Sequence, residues 1–583
     1  MNIIRIIEKY WLIAILVLVS GAGYAQSSKP YLVADFNEYD LVDYLDLCQK
    51  GGFEVLVQQH PFATYGHYEW DEDFASGNSV VASMVKKAEK AGVQLGVLVR
   101  PDVISPEDPF CSSAYVTHLR RSGQLELFDN LDVHDKDIAV KKTDLLKKPS
   151  SLNLILVDNE LISYSTMELS GEIILLHRCI RGAFGTEVTS HSIDAPTYKI
   201  WDSPDRMLAP DDMLRKAMQE QLQQQLDESG ISIVLYEGDK GQEVMDESQR
   251  IRLEERWAND EELKDGGLLG WFPIHAADKK RMSTTMEDVE WLLSKAVGYH
   301  AGFGLLIDER TIKKHGGLDQ MLAVMKLWKR LEEAGAFTDA QKSRMRDPYA
   351  NWRIEPMSDS LYLLFPMNIS RQYRCDFKES EPGLYTTDPM TWVAGAESRF
   401  GLQLISVGKE PIKNPMVSTE KSLIMFPCTL EQGQRIIYNF NEVAYLIDLN
   451  YNVLKEMTPE GTSILSEGGS EVRLMCEGKS KQHPQLIARY LVREKPEVLN
   501  LAATGKPLYA PRVLILLYDE EVGKEPLKYA INEYGAEVIY EYNILKGFAI
   551  RIPEDNNLED AIKYFKEVEG VISVEKDKLL HLD

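Results

Sequence analysis

Between Tyr31 and about Gly335 the chain alternates short apolar runs with longer amphipathic ones, and no other feature constrains its fold as much. The short runs are YLVADF (31–36), FEVLVQQH (53–60), VQLGVLVR (93–100), ISIVLYEGD (231–239), GLLGWFPIH (267–275) and GFGLLIDER (302–310). Between them lie helical patterns such as VVASMVKKAEKAG, MLRKAMQEQLQQQLDESG, MEDVEWLLSKAVGYHAG and LDQMLAVMKLWKRLEEAG. Strands joined through a helix run in the same direction, and near-continuous apolar strands must be covered on both faces. Three of the four helical patterns end in Gly just after a charged or polar turn, and Gly accepts the left-handed turn that stops a helix. This predicts an α/β fold, a (β/α)8-type barrel over residues 26–347 with six strands evident. An open doubly wound sheet is the alternative.

The alternation breaks after the third strand. Residues 111–205 carry NLILVDNELISYST and GEIILLHRCIRGAFGT, β runs divided by Asp-Asn and Ser-Gly turns, and predict a β insertion. On a barrel it would hang from the face where strands end, which is the face that carries function. From 348 to 497 the pattern changes to short strands at nearly regular spacing: SLYLLFPM, LQLISV, SLIMFPC, RIIYNF, AYLIDL and EVRLMC. That rhythm predicts an antiparallel β-sandwich. After the linker LAATGKPLYAP, residues 509–583 read β-α-β-β-α-β, the ferredoxin-like order.

Arg5 and Lys9 precede WLIAILVLVSGAG, and GYAQ follows with small residues, so residues 1–25 have the layout of a signal peptide cut after Ala25. An uncleaved membrane anchor is the alternative. Removal of the signal would leave a soluble, periplasmic or secreted protein without a membrane partner. The net charge of −26 repels phosphate backbones and disfavours nucleic acid as a partner. The 6 cysteines stand singly, which argues for buried thiols over a zinc cluster or a disulfide scaffold. No GxGxxG after a strand, GxxxxGK[ST], HExxH or GxSxG occurs, and no cofactor or metal is expected.

In a barrel, chemistry collects where strands end. The strand ends offer Asp35, His60, Arg100, Glu237, Asp239, His275, Asp308 and Glu309. Cleavage of a glycosidic bond needs one carboxyl to protonate the leaving oxygen and a second to attack the sugar or activate water. Glu237 and Asp239 share a strand face, and Gly238 between them permits close approach of a ligand. Asp308 and Asp35 are the further catalytic candidates. His60, Arg100, Trp271, His275 and Trp70 are candidates for holding the sugar, through charge or through aromatic faces. Each also has a plain reading: helix cap, solvated turn, surface ion pair or packing anchor.

Two resemblances add to this. EYGAEVIYEYNILKGFAIRIP and EGVISVEKDKLLHL resemble the propeptide/inhibitor module that precedes subtilisin-type proteases, which implies a protease as a possible partner of the C-terminal module. ISIVLYEGD, LGWFPIH, TTMEDVEWLLSKAVGYHAGFGLLID and RCIRGAFGTEVTSH resemble parts of secreted barrel proteins, glycosidase-like, from polysaccharide-degrading bacteria. Members of that group commonly carry Asp-Gly at the end of the fourth strand, where this chain has Glu237-Gly238-Asp239. The resemblance implies a polysaccharide or oligosaccharide as partner. The sequence thus predicts a glycoside hydrolase-like enzyme, or else a glycan-binding protein without catalysis or a protease regulator acting through the last module.

Overall fold

The computed structural model describes residues 29–576 except 75–76, 148–149, 237–249, 259–262, 264–266, 280, 359, 441–442, 479–482, 502–512, 520, 543–545, 554–555 and 557. The chain divides into two units. One comprises Met1–Gln49, Phe53–Glu243 and Gly304–Leu306; the other comprises Lys50–Gly52, Val244–Phe303 and Ile307–Asp583.

The apolar runs form strands β1 (Tyr31–Ala34), β2 (Val55–Gln58), β3 (Gln94–Val99), β4 (Ile233–Tyr236), β5 (Leu268–Ile274) and β6 (Gly302–Ile307). They hydrogen-bond in the order β4-β3-β2-β1-β6-β5. β1 pairs in parallel with β2 and with β6, and β3 pairs in parallel with β2 and with β4. Every residue of β1, β2 and β6 is buried, as expected of a sheet covered on both sides. At Gly96 a Cβ would come within 2.9 Å of the Ile233 side chain, so a glycine lets β3 and β4 lie together.

This order bears on the two architectures the sequence leaves open. In the dinucleotide-binding doubly wound sheet the strand following the first three returns beside the first. Here β4 stays outside β3, and the last strand returns to β1, the pairing that closes a barrel. The described strands thus form a parallel half-barrel of six strands, with β4 and β5 at the edges of the sheet, and a closed eight-stranded barrel is not shown.

Helix α1 (Leu41–Gly51) joins β1 to β2, helices α2 (Asn78–Lys90) and α3 (Asp212–Ser229) fall where the patterns predict them, and Gly230 ends α3 at φ 76°. The insertion forms one four-stranded and one three-stranded antiparallel sheet around a core that includes Leu127, Val140, Ile155, Ile162 and Leu176.

In the second unit, α4 (Arg250–Ala258) and α5 (Met286–Tyr299) are followed by α6 (Glu309–Lys314), α7 (Leu318–Glu333) and α8 (Asp339–Met345). Thr285 caps α5 in a reciprocal box with Asp288. Buried Lys295 of α5 donates to the carbonyls of Met345, Asp347 and Ala350, so one ammonium satisfies the turn that leads into the next strand. From Asn351 the chain builds antiparallel sheets of ten and eight strands around a core of Trp392, Phe400, Leu402, Phe426, Leu474 and Ala488. Trp392 stacks on Tyr490 at 4.6 Å.

The last segment has strands Val513–Tyr518, Glu537–Tyr542, Gly547–Arg551 and Val571–Lys576 with helices Glu525–Tyr534 and Leu558–Lys566. Its sheet places the first strand between the third and fourth, with the second outside the third, which is the ferredoxin-like order. All six cysteines are free and buried. Among the described residues no helix is long and apolar enough to cross a membrane.

Candidate active site at the carboxyl ends of the parallel strands

β1, β2 and β3 run side by side in register, so the residues that follow them emerge along one rim. Those residues are Asp35, His60 and Arg100. The His60 backbone N–H donates to Asp35 Oδ1 at 3.0 Å, and His60 Nδ1 lies 2.9 Å from Oδ2. A carboxylate only accepts, so His60 donates from Nδ1. Both side chains are open to solvent, His60 at 61% and Asp35 at 56%, so the pair contributes under about 1 kcal/mol to stability.

Arg100 donates from Nη1 to Asp205 Oδ2 at 2.5 Å, and its guanidinium lies 5.9 Å from the centre of the Tyr65 ring. Burial works against the charge of Asp205, but hydrogen bonds from Ser203 and Arg100 outweigh it and hold its carboxyl below the usual range. The rim thus presents a carboxylate on histidine beside a guanidinium on carboxylate.

The loop after β2 is fixed from below by Asp108, whose side chain is fully buried. Asp108 accepts from Thr64 Oγ1, from the His67 backbone, and from His67 Nδ1 at 2.8 Å. Gly66 sits over it at φ 137°, and a Cβ there would lie 2.5 Å from the carboxylate. Trp70 packs on Phe62 and Phe74 and donates from its indole to Asn78. It is half-buried, and these partners make it an anchor of the loop.

Three candidates lie in the second unit. Trp271 of β5 is 3% exposed and belongs to the core, so its ring face is not offered for stacking. His275 at the end of β5 is half-buried; burial, then the charge of Arg281, pulls its pKa down and keeps the ring neutral. Asp308 is exposed and N-caps α6, accepting from the Thr311 amide at 2.7 Å. Glu237 and Asp239 lie outside the described residues.

Sequence reasoning missed Asp108 and Asp205, which sit in loops with no periodic pattern to mark them. It also missed His315, which binds the Thr284 carbonyl through Nε2 at 3.0 Å and stacks on Tyr451. Among the described residues no group of three or more His, Cys, Asp or Glu could hold a metal ion.

No family model matches the chain, and no curated protein sequence matches it. Alignments to solved structures span most of this chain. An alpha-galactosidase from Geobacillus stearothermophilus in complex with raffinose aligns over 81% of this chain and 57% of its own, at 11% identity and a TM-score of 0.25. For an alpha-galactosidase from Lactobacillus brevis the values are 79%, 56%, 9% and 0.28. For a Paenibacillus cycloisomaltooligosaccharide glucanotransferase complexed with cycloisomaltoheptaose they are 80%, 57%, 5% and 0.19. The chain spans a little over half the length of these proteins. Likeness at this level carries no argument about fold or chemistry, which rest on strand order and on the side chains.

Proposed function

We propose that the protein is exported and acts on a polysaccharide or oligosaccharide at the carboxyl rim of its parallel sheet, as a glycoside hydrolase-like enzyme. The observation that carries this reading is the exposed Asp35–His60 pair beside Arg100, three polar side chains delivered by three adjacent parallel strands. Asp35 supplies one carboxyl. Glu237 or Asp239, following the fourth strand in sequence, supplies the other, so that one group protonates the leaving oxygen and its partner attacks carbon or activates water. His60 holds the Asp35 carboxylate in place through its backbone N–H and Nδ1. Arg100 and Tyr65 orient the sugar, Arg100 as a donor to hydroxyls or to a sugar-acid carboxylate and Tyr65 through its ring.

Release of reducing sugar from a panel of polysaccharides tests this. Asp35→Asn and Glu237→Gln should each lower the rate by about 10²–10⁴-fold, the usual contribution of a positioned acid or base. Activity retained in both variants would sink the assignment.

A second reading, glycan binding without cleavage, is favoured by the way Asp35 and Asp205 are each already engaged by a donor, His60 and Arg100. It predicts that the protein retains glycans on affinity gels and releases no sugar. A third reading, regulation of a protease, is favoured by the ferredoxin-like order of the last module. It is removed if the full chain leaves subtilisin-type proteases uninhibited.

A further inference from the structure

His67 lies on the loop after β2, between two residues that touch Arg100. The Tyr65 ring centre is 5.9 Å from the Arg100 guanidinium, and the Tyr68 hydroxyl donates to the Arg100 carbonyl at 3.5 Å. The loop is also zipped to the one that follows β3. The Tyr65 amide donates to Ser105 Oγ, and the Ser105 amide donates to the Tyr65 carbonyl, each at 2.9 Å. His67 is thereby kept beside the rim of the first unit.

Its ring is fixed on two sides. Nδ1 lies 2.8 Å from Asp108 Oδ1, and because a carboxylate only accepts, Nδ1 donates. The Asp108 side chain is wholly excluded from solvent and also accepts from Thr64 Oγ1 and from the amides of His67 and Phe110. The Phe110 ring stacks on the imidazole with 3.9 Å between centres. The backbone on either side is unusual as well: Gly66 has φ 137° and Tyr68 has φ 54°, an angle few bulky residues adopt. Local strain of this kind collects where a side chain is held for a ligand.

The ring edge left open carries Nε2. The His67 side chain keeps 26% of its surface exposed, and among the described residues Nε2 is neither hydrogen-bonded nor buried. His191 in the same unit shows the purely structural case. Its side chain is 1% exposed, with Nδ1 2.7 Å from Asp158 and Nε2 2.8 Å from Glu160, so both nitrogens are engaged. His67 has the same firm support on one nitrogen and nothing on the other. A hydroxyl suits that free edge, because it both donates and accepts and so pairs with Nε2 in either protonation state of the ring.

We propose that His67 is a substrate-contacting residue whose Nε2 hydrogen-bonds a hydroxyl of a sugar ring lying along the rim at Arg100. The proposal rests on the reading of this rim as a glycan site. Asp108 and Phe110 set the position of the imidazole.

The test titrates the full chain, carrying isotope-labelled histidine, with maltose, lactose, cellobiose, xylobiose and digalacturonate, by calorimetry and NMR. The His67 ring signals are identified through their contact with the Phe110 ring. A probe that binds should shift Nε2 of His67 with the same midpoint as the calorimetric isotherm, a response that a merely structural histidine does not give. His67→Gln should weaken that binding by about tenfold, as loss of one hydrogen bond does. An unmoved Nε2 signal in the bound complex overturns the proposal, and so does a folded His67→Gln that binds as the parent does; either result leaves the glycan reading standing. If no probe binds and none is cleaved, the proposal and the glycan reading fall together. Because the NMR titration uses the parent chain, it decides the matter even if His67→Gln fails to fold.

Discussion

Glu290 shows how much one side chain can depend on its surroundings. Burial, only partly offset by Arg353, pushes its carboxyl up to about 7 from an ordinary 4.5. An acid with a raised folded-state pKa binds its proton more tightly when folded. Its contribution is thus most favourable below 4.5 and is lost as pH rises toward 7. Over that window the change amounts to about 3 kcal/mol. Denaturant midpoints measured across the window should fall with pH, and Glu290→Gln should flatten the slope; an unchanged slope would refute the assignment.

Gly66 makes a second residue-scale prediction. Its φ of 137° and the carboxylate of Asp108 beneath it leave no place for a Cβ. Gly66→Ala should cost about 1–3 kcal/mol and loosen the loop that carries Tyr65, seen as a lower melting temperature. The RCIRGAFGT stretch has a comparable explanation. Arg181 forks onto fully buried Glu160 at 2.7 and 2.8 Å, and Glu160 also accepts from the amides of Gly182 and Thr189 and from His191 Nε2. Those hydrogen bonds outweigh burial and hold its carboxyl low. The motif is a pin for the insertion. Its Arg and Gly were readable in sequence, but the partner acid, some twenty residues earlier, was not.

At the scale of elements, caps and chemistry compete for the same residue types. Asp308 caps α6, so an acid at a strand end there is explained without invoking a reaction. The two roles separate experimentally because Asn caps as well as Asp while Ala does not. Asp308→Ala should cost about 1 kcal/mol and Asp308→Asn almost nothing. If Asp308→Asn nevertheless abolishes sugar release at full stability, Asp308 acts on substrate; unchanged release confines it to the cap. The α5 pattern suggested a glycine stop, but the helix ends at His300, which itself takes the left-handed conformation at φ 51°. Periodicity gave the helix, and a local backbone choice set its end.

At the scale of the molecule, the last module has a core of its own, including Leu514, Leu516, Ile531, Phe548, Ile550 and Phe565. Domains of about 55–65 residues can fold alone. Residues 509–583 produced separately should therefore show a cooperative thermal transition by circular dichroism. A gradual, non-cooperative loss of signal would show that the module depends on the rest of the chain.

The amino-acid order by itself determined the alternation of strand and helix, the β insertion, the sandwich rhythm, the ferredoxin-like sequence of elements and the burial of the thiols. These follow from periodicity and side-chain hydrophobicity, which are local. Only the tertiary structure decided that β6 returns to β1, that Asp35 meets His60 across 25 residues and Arg100 meets Asp205 across 105, and that Arg353 is enclosed by Glu287 and Glu290. Which charge faces which depends on how distant segments are brought together, and no local pattern in a single sequence encodes that pairing.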